Sequence, residues 1–374
     1  MRNDYQSLSG SKLDINHILA PLGVGLVVGF AFTKSGAYLP TIIHGCAVLK
    51  NQLLSKVLLS AAGASMAFQS LLQLADKSKY TWSRVGHGNG VMYSALGGIL
   101  LGAGMSLAQS DPLICWIQAG AGIQTALWTG VGALLAVVCW GFLSDHLCKD
   151  PVRLEKSYLD DALKNCDYWM MALPLSLVFL GVCVLLETQV ASWEDEAPSG
   201  WVTNSDNAWI PDPRVAFWSP YIAGIVIGLA QLPLRAILGK HVTGFASFIS
   251  PVSIVVHKGV GDGCNQKVPR WFQATSGAQG LWTLIFALSC GVGAIIASQS
   301  TGTFANESGV GPLWTIIGGV CGMVGCMMAG GDILSIFVSG ISDLHIDSFV
   351  AAISTVAGGY GCGFFLDAIN VKVE

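Results

Sequence analysis

Two aspartates, Asp111 and Asp332, carry the strongest chemical signal in this chain. Each ends a glycine-studded apolar stretch, and the two stretches align without a gap. Gly97-Gly98-Ile-Leu-Leu-Gly-Ala-Gly104-Met-Ser-Leu-Ala108-Gln-Ser-Asp111 lies against Gly318-Gly319-Val-Cys-Gly-Met-Val-Gly325-Cys-Met-Met-Ala329-Gly-Gly-Asp332. Five of the fifteen pairs are identical: both leading glycines, a third glycine, an alanine and the aspartate. A carboxylate at the centre of a membrane helix costs roughly 3 kcal/mol or more. A chain that places one there twice, at equivalent positions, points to ion passage along a narrow path between them. The alternative is structural: Asp is a favoured helix N-cap, and Pro112 fits the first turn of a helix after Asp111.

Other residues could join that chemistry. Lys34-Ser35-Gly36 leads into Tyr38, offering a cation and a phenol near an anion path, or simply a lysine that snorkels to the interface. Gly239 to Ser247, with Lys240, His241, Thr243 and Ser247, offers small hydroxyls and backbone N–H groups to an oxyanion, or ordinary Gly/Ser packing. His44 and His345 read as structural histidines. No His box, Walker A, GxSxG or HExxH pattern occurs, so neither an enzyme nor a cofactor or metal site is expected. Eleven cysteines are scattered, mostly in apolar segments and without CxxC spacing, which reads as buried thiols.

The elements that must hold these residues are membrane helices. The 374 residues are 52% hydrophobic and 11% charged, with mean hydropathy +0.59. Soluble domains carry about 25% charge. The net charge of −4 and the absence of a basic run exclude a nucleic-acid partner. Apolar segments near 18–33, 54–73, 91–110, 122–143, 169–190, 218–238, 278–298, 313–331 and 347–366 give about nine transmembrane helices, each close to the ~20 residues that cross a bilayer. The apolar links 37–49, 112–121 and 333–342, and the small-residue link 241–256, are too short to span and suggest four re-entrant hairpins. Such backbone survives at membrane depth only when buried in protein or lining a cavity.

The repeat extends upstream, because Pro21, Gly25 and Gly29 match Pro220, Gly224 and Gly228 in spacing. The expected fold is therefore all-α and polytopic: two inverted four-span repeats with four re-entrant hairpins and one linking span, an architecture of transporters. A polar tail (1–16) precedes the first repeat (17–144). A linker (145–217) holds an amphipathic segment, one span and an acidic outer loop that caps one face. The second repeat (218–367) and a short tail (368–374) follow. Lys and Arg concentrate in the tail, the 74–90 loop and the linker, while the 191–217 loop is acidic. The positive-inside rule then puts the N-terminus inside and the C-terminus outside, in a plasma or organellar inner membrane. Lys50 and Lys56 run against that bias.

These motifs resemble the YeeE/YedE family of sulphur transport domain membrane proteins. Ala329-Gly330-Gly331-Asp332 is similar to the family's Ala-Gly-Gly-Cys, and Ala108-Gln109-Ser110-Asp111-Pro112 to a second copy of it. Lys34-Ser35-Gly36-Ala37-Tyr38 is similar to its Arg-Ser-x-x-Cys, and Gly239 to Ser247 resembles its third hairpin. The resemblance implies inverted halves, hairpins meeting at an hourglass waist, and passage of thiosulfate along hairpin cysteines. Here Tyr38, Asp111 and Asp332 stand at those cysteine positions. Either the aspartates carry protons and donate to an anion, or the path no longer serves a sulphur anion. The expected substrate path is Tyr38, Asp111 and Asp332, with Lys34, Ser35, Lys240, Thr243 and Ser247. The expected partners are membrane lipid and a small inorganic ion, with a sulphur-carrier protein or a larger membrane complex as protein partners. The alternative function is a non-transporting accessory subunit of such a complex.

Overall fold

A computed structural model of the protein describes residues 15–75, 90–147, 158–159, 166–198, 217–260, 278–305, 307 and 309–369. The tail ahead of residue 15, most of the expected amphipathic segment, the basic loops, and Trp201 and Trp209 of the acidic loop lie outside the described residues. The long helices are α1 (Asn16–Lys34), α3 (Leu53–Ala75), α4 (Val91–Ala108), α6 (Thr125–Leu147), α7 (Tyr168–Leu185, continued as a π turn to Val190), α9 (Pro220–Leu238), α11 (Ala278–Thr301), α12 (Pro312–Ala329) and α13 (Ile346–Ala368). Between them sit the short helices α2 (Pro40–Ala47), α5 (Pro112–Gly120), α8 (Trp193–Glu196), α10 (Ala246–Val260) and a π-helical segment at Ser335–Gly340. Among the described residues, nine helices are long and apolar enough to cross a membrane. The protein is an all-helical integral membrane protein.

Glycine explains how the helices approach one another. A Cβ on Gly97 would fall on the backbone of Ala329 and Gly325, and one on Gly318 would fall on the backbone of Ala108 and Gly104. The two contacts are the same contact read from either copy, because 97 aligns with 318, 104 with 325 and 108 with 329. A second pair behaves alike. Gly25 and Gly29 of α1 press on Phe286, Ser289 and Cys290 of α11, while Gly224 and Gly228 of α9 press on Val57, Ser60 and Ala61 of α3. Without side chains at these crossings, backbones meet directly, the close packing that membrane helices use in place of a hydrophobic drive.

α7 stands apart. It is apolar all round, and Leu177, Val178, Val184 and Leu185 are largely exposed, so it packs on α3 and otherwise faces lipid.

At one end of the bundle, the two lysines that oppose the charge bias are both neutralised. Lys56 is fully buried and donates to Glu187 (3.1 Å), Glu196 (2.7 Å) and the Ala191 carbonyl (2.6 Å). Lys50 pairs with Asp367 at 3.2 Å. In the acidic loop, Trp193 is buried and stacks on Phe217, and the Gln52 N–H donates to Glu196.

Candidate functional site

The short helices and their links converge on the two aspartates, and the sequence accounts for each one's setting. α4 ends at Ala108, and Pro112 starts α5, so Asp111 falls at the N-cap with extended backbone. Its Oδ1 accepts the Ile114 N–H at 2.6 Å. Its Oδ2 accepts the Ile333 N–H at 3.1 Å, across the junction of the two copies. Asp332 caps the helical turn that starts at Ile333 and leads into the π-helical segment, with Oδ1 accepting the Ser335 N–H at 2.8 Å. Its Oδ2 takes the Gly244 N–H, the Phe245 N–H (2.9 Å) and the Thr243 hydroxyl (3.3 Å). Both residues are at most 1% exposed.

The two carboxylates are thus equivalent in cap and different in cross-link, and one atom explains why. The mirror of the Asp111–Ile333 bond would run from residue 112 to Asp332. Residue 112 is proline and has no N–H to give. Asp332 instead gathers the donors of the link before α10. Among the described residues every hydrogen-bond partner of both carboxylates is a donor, so each serves as an acceptor that ties the short segments together. Both carboxylates therefore cap the segments that follow them.

The remaining expected path residues fall into two groups. Thr243 joins Asp332 directly. Ser247 lies behind it, accepting from the Trp116 indole at 2.8 Å and donating to the Gly244 carbonyl at 2.5 Å. Tyr38 is buried, and its carbonyl accepts from Gln118 Nε2 (2.8 Å), which also binds the Gln109 carbonyl (2.8 Å). Gln118 therefore ties the first short segment to the end of α4. Lys34 and Ser35 are buried at the end of α1, away from the aspartate contacts. Lys34 Nζ lies 5.3 Å from the Phe30 ring centroid, its carbonyl accepts from Trp218, and the Ser35 hydroxyl closes on Phe32 O (2.7 Å). Lys240 is half-buried in the link after α9.

Sequence reasoning missed a buried polar cluster where the end of α9 meets the turn after the π-helical segment. Arg235, near the end of α9, donates to Asp343, to Gln69 Oε1 (2.8 Å) and to Ser339 O (3.3 Å). His241 Nδ1 lies 3.3 Å from the second Asp343 oxygen. Tyr168 donates to Ser342 O (2.6 Å), and the linker meets the same turn where the Leu159 N–H donates to Leu344 O (2.9 Å). An arginine inside an apolar span was the signal available in the sequence.

On the Tyr38 side, Glu307 accepts from the Thr41 hydroxyl at 2.9 Å, and burial holds its carboxyl above the usual range. An apolar cleft of about 170 Å³ lies between α2, α3, α4 and α13 and reaches Ile333 beside the aspartates. A small cavity of about 10 Å³ lies nearby, lined by His44, Gln109 and Trp314 among others.

The family described as Sulphur transport has a model that matches residues 34–361, from the end of α1 to most of α13. No curated protein matches the chain.

Proposed function

The chain belongs to the sulphur transport family, and from that premise we propose that it passes a small inorganic, sulphur-containing ion such as thiosulfate across a membrane, through the point where its short helices meet. The observation that carries this reading is the Asp111–Ile333 bond between two copies of one motif. The reciprocal glycine contacts support an inverted repeat, and an inverted repeat places a transporter's site at the junction of its halves. Tyr38, Asp111 and Asp332 line the junction, with Thr243 and Ser247 behind it. Lys34, Ser35 and Lys240 stand at its approaches rather than in it.

The aspartates do not act as proton donors in this reading. Their oxygens are occupied by backbone N–H groups, so they fix the waist, and the ion is handled by the groups around them. The buried, fully bonded waist corresponds to a closed state. Conduction requires the Asp111–Ile333 cross-link to open, which moves one copy against the other. The pairing of Lys50 and Lys56 with acids removes the two exceptions to the charge bias and supports an N-terminus-inside orientation.

Uptake of radiolabelled thiosulfate into proteoliposomes tests the proposal, with sulfite, sulfate and simple cations as competitors. Asp111→Asn and Asp332→Asn should each reduce uptake. Unaltered uptake in both single variants and the double variant rules out a waist role.

The closed waist favours a second reading, a non-transporting subunit of a larger membrane complex or a dock for a sulphur-carrier protein. Co-purification with such a complex, together with no uptake of any tested ion, decides for it.

A further inference from the structure

The position two residues before each aspartate is the same place seen twice, and the two copies fill it differently. In the second copy it is Gly330, with φ +81° and its N–H bonded to the Cys326 carbonyl. The left-handed conformation suits glycine. In the first copy it is Gln109, held in the same left-handed region at φ +53°. A glutamine there is strained, and its side chain gains nothing visible in return. It is 1% exposed, and neither Oε1 nor Nε2 has a hydrogen-bond partner. A buried amide without partners is costly unless something fills its hydrogen bonds.

The cavity beside it supplies the place. Gln109 and His44 line it with Ser106, Leu107, Trp314 and Leu366. His44 Nδ1 is also buried without a partner. The Ser106 hydroxyl is already bonded to Gly359 O at 2.8 Å, so it adds no free donor. The open hydrogen-bonding capacity is therefore one amide and one imidazole nitrogen. Two nearby charges, Lys50 and Asp367, cancel each other as an ion pair.

We propose that Gln109 and His44 form a docking site for a small inorganic oxyanion on the approach to the waist. The identity of the anion rests on the transport reading above; the site itself does not. The Gln109 amide supplies two N–H donors and His44 Nδ1–H a third, all of them dipoles rather than full charges. Dipolar donors hold an anion loosely, as a path that must release its ion requires. As it stands the cavity holds only about 10 Å³, less than an oxyanion occupies, so the flexible Gln109 side chain swings aside to seat the anion. Gln109 continues directly into Ser110 and Asp111, and Gln118 holds its carbonyl, so loading the site bears on the segment that caps the waist.

The test is equilibrium binding of radiolabelled thiosulfate to the full chain in nanodiscs, for wild type, Gln109→Gly and His44→Ala, with melting curves with and without thiosulfate. Gln109→Gly restores the residue that suits the backbone, so without ligand it should melt no lower than wild type. It should nevertheless bind thiosulfate at least tenfold more weakly and lose the thiosulfate-dependent rise in melting temperature. His44→Ala should weaken binding in the same direction. Binding by Gln109→Gly within twofold of wild type overturns the site, as does a wild-type protein that binds none of thiosulfate, sulfite or sulfate. Gln109-dependent binding without any uptake keeps the site and removes the transport reading. Uptake with an unchanged KM in Gln109→Gly keeps transport and removes the site.

Discussion

Truncating the two aspartates should not cost the same, although they occupy one position of a repeat. Asp111→Ala strands two buried N–H groups, those of Ile114 and Ile333. Each unsatisfied donor costs about 1–3 kcal/mol, which gives about 2–6 kcal/mol for this variant. Asp332→Ala strands three, those of Ser335, Gly244 and Phe245, and frees the Thr243 hydroxyl to turn elsewhere. The same arithmetic gives about 3–9 kcal/mol, against total stabilities of about 5–15 kcal/mol. Asp332→Ala should therefore lose most folded protein, while Asp111→Ala survives with a lower melting temperature. The Asn variants keep one acceptor oxygen and should fall between wild type and the alanines. Melting in detergent and the monodisperse yield on size exclusion measure both. If Asp111→Ala falls as far as Asp332→Ala, or if neither moves, the cross-link asymmetry attributed to Pro112 is wrong.

Two further expectations concern the scaffold. Gly29→Ala places a Cβ on the Cys290 carbonyl and should cost about 1–3 kcal/mol by overpacking. Gly23→Ala, in the same helix with open space around it, should be neutral or stabilising by up to about 1 kcal/mol. Equal loss of folded yield in the two variants would remove close backbone approach as the reason for those glycines. Lys56→Met leaves the buried Glu196 carboxylate without its cation and should cost about 3–5 kcal/mol. Adding Glu196→Gln should recover part of that loss, as read by denaturation of the single and double variants. A double variant no better than the single one contradicts the pairing.

The helical, membrane-embedded character of the chain was legible because apolar runs of the right length have few other solutions. The aligned stretches ending in Asp111 and Asp332 announced a repeated element, and their glycines announced close helix crossings. The Asp-Pro step at 111–112 announced the cap, since proline at the first helical position lacks only an N–H that has no intrahelical partner, and aspartate before it accepts from a later free one.

Partner choice was not legible. Lys56 falls inside the apolar segment 54–73 and Lys50 outside it, but the two glutamates that bury Lys56 and the Asp367 beside Lys50 come from distant parts of the chain. Arg235 and Asp343 are 108 residues apart, and their pairing depends on how the end of α9 meets the turn after the π-helical segment. The strain at Gln109 was visible only as a mismatch with Gly330, and its lack of partners needed the packed cavity.

The sequence alone determined that two aligned glycine-rich stretches each end at an aspartate, that each breaks its helix there, and that the breaks need caps. Periodicity, proline and glycine act over a few residues, so a chain carries those facts locally. Only the tertiary structure decided which backbone N–H groups each carboxylate ties. Pro112 cannot return the bond that Ile333 gives, and the spare acceptor at Asp332 is filled by a link from another part of the chain.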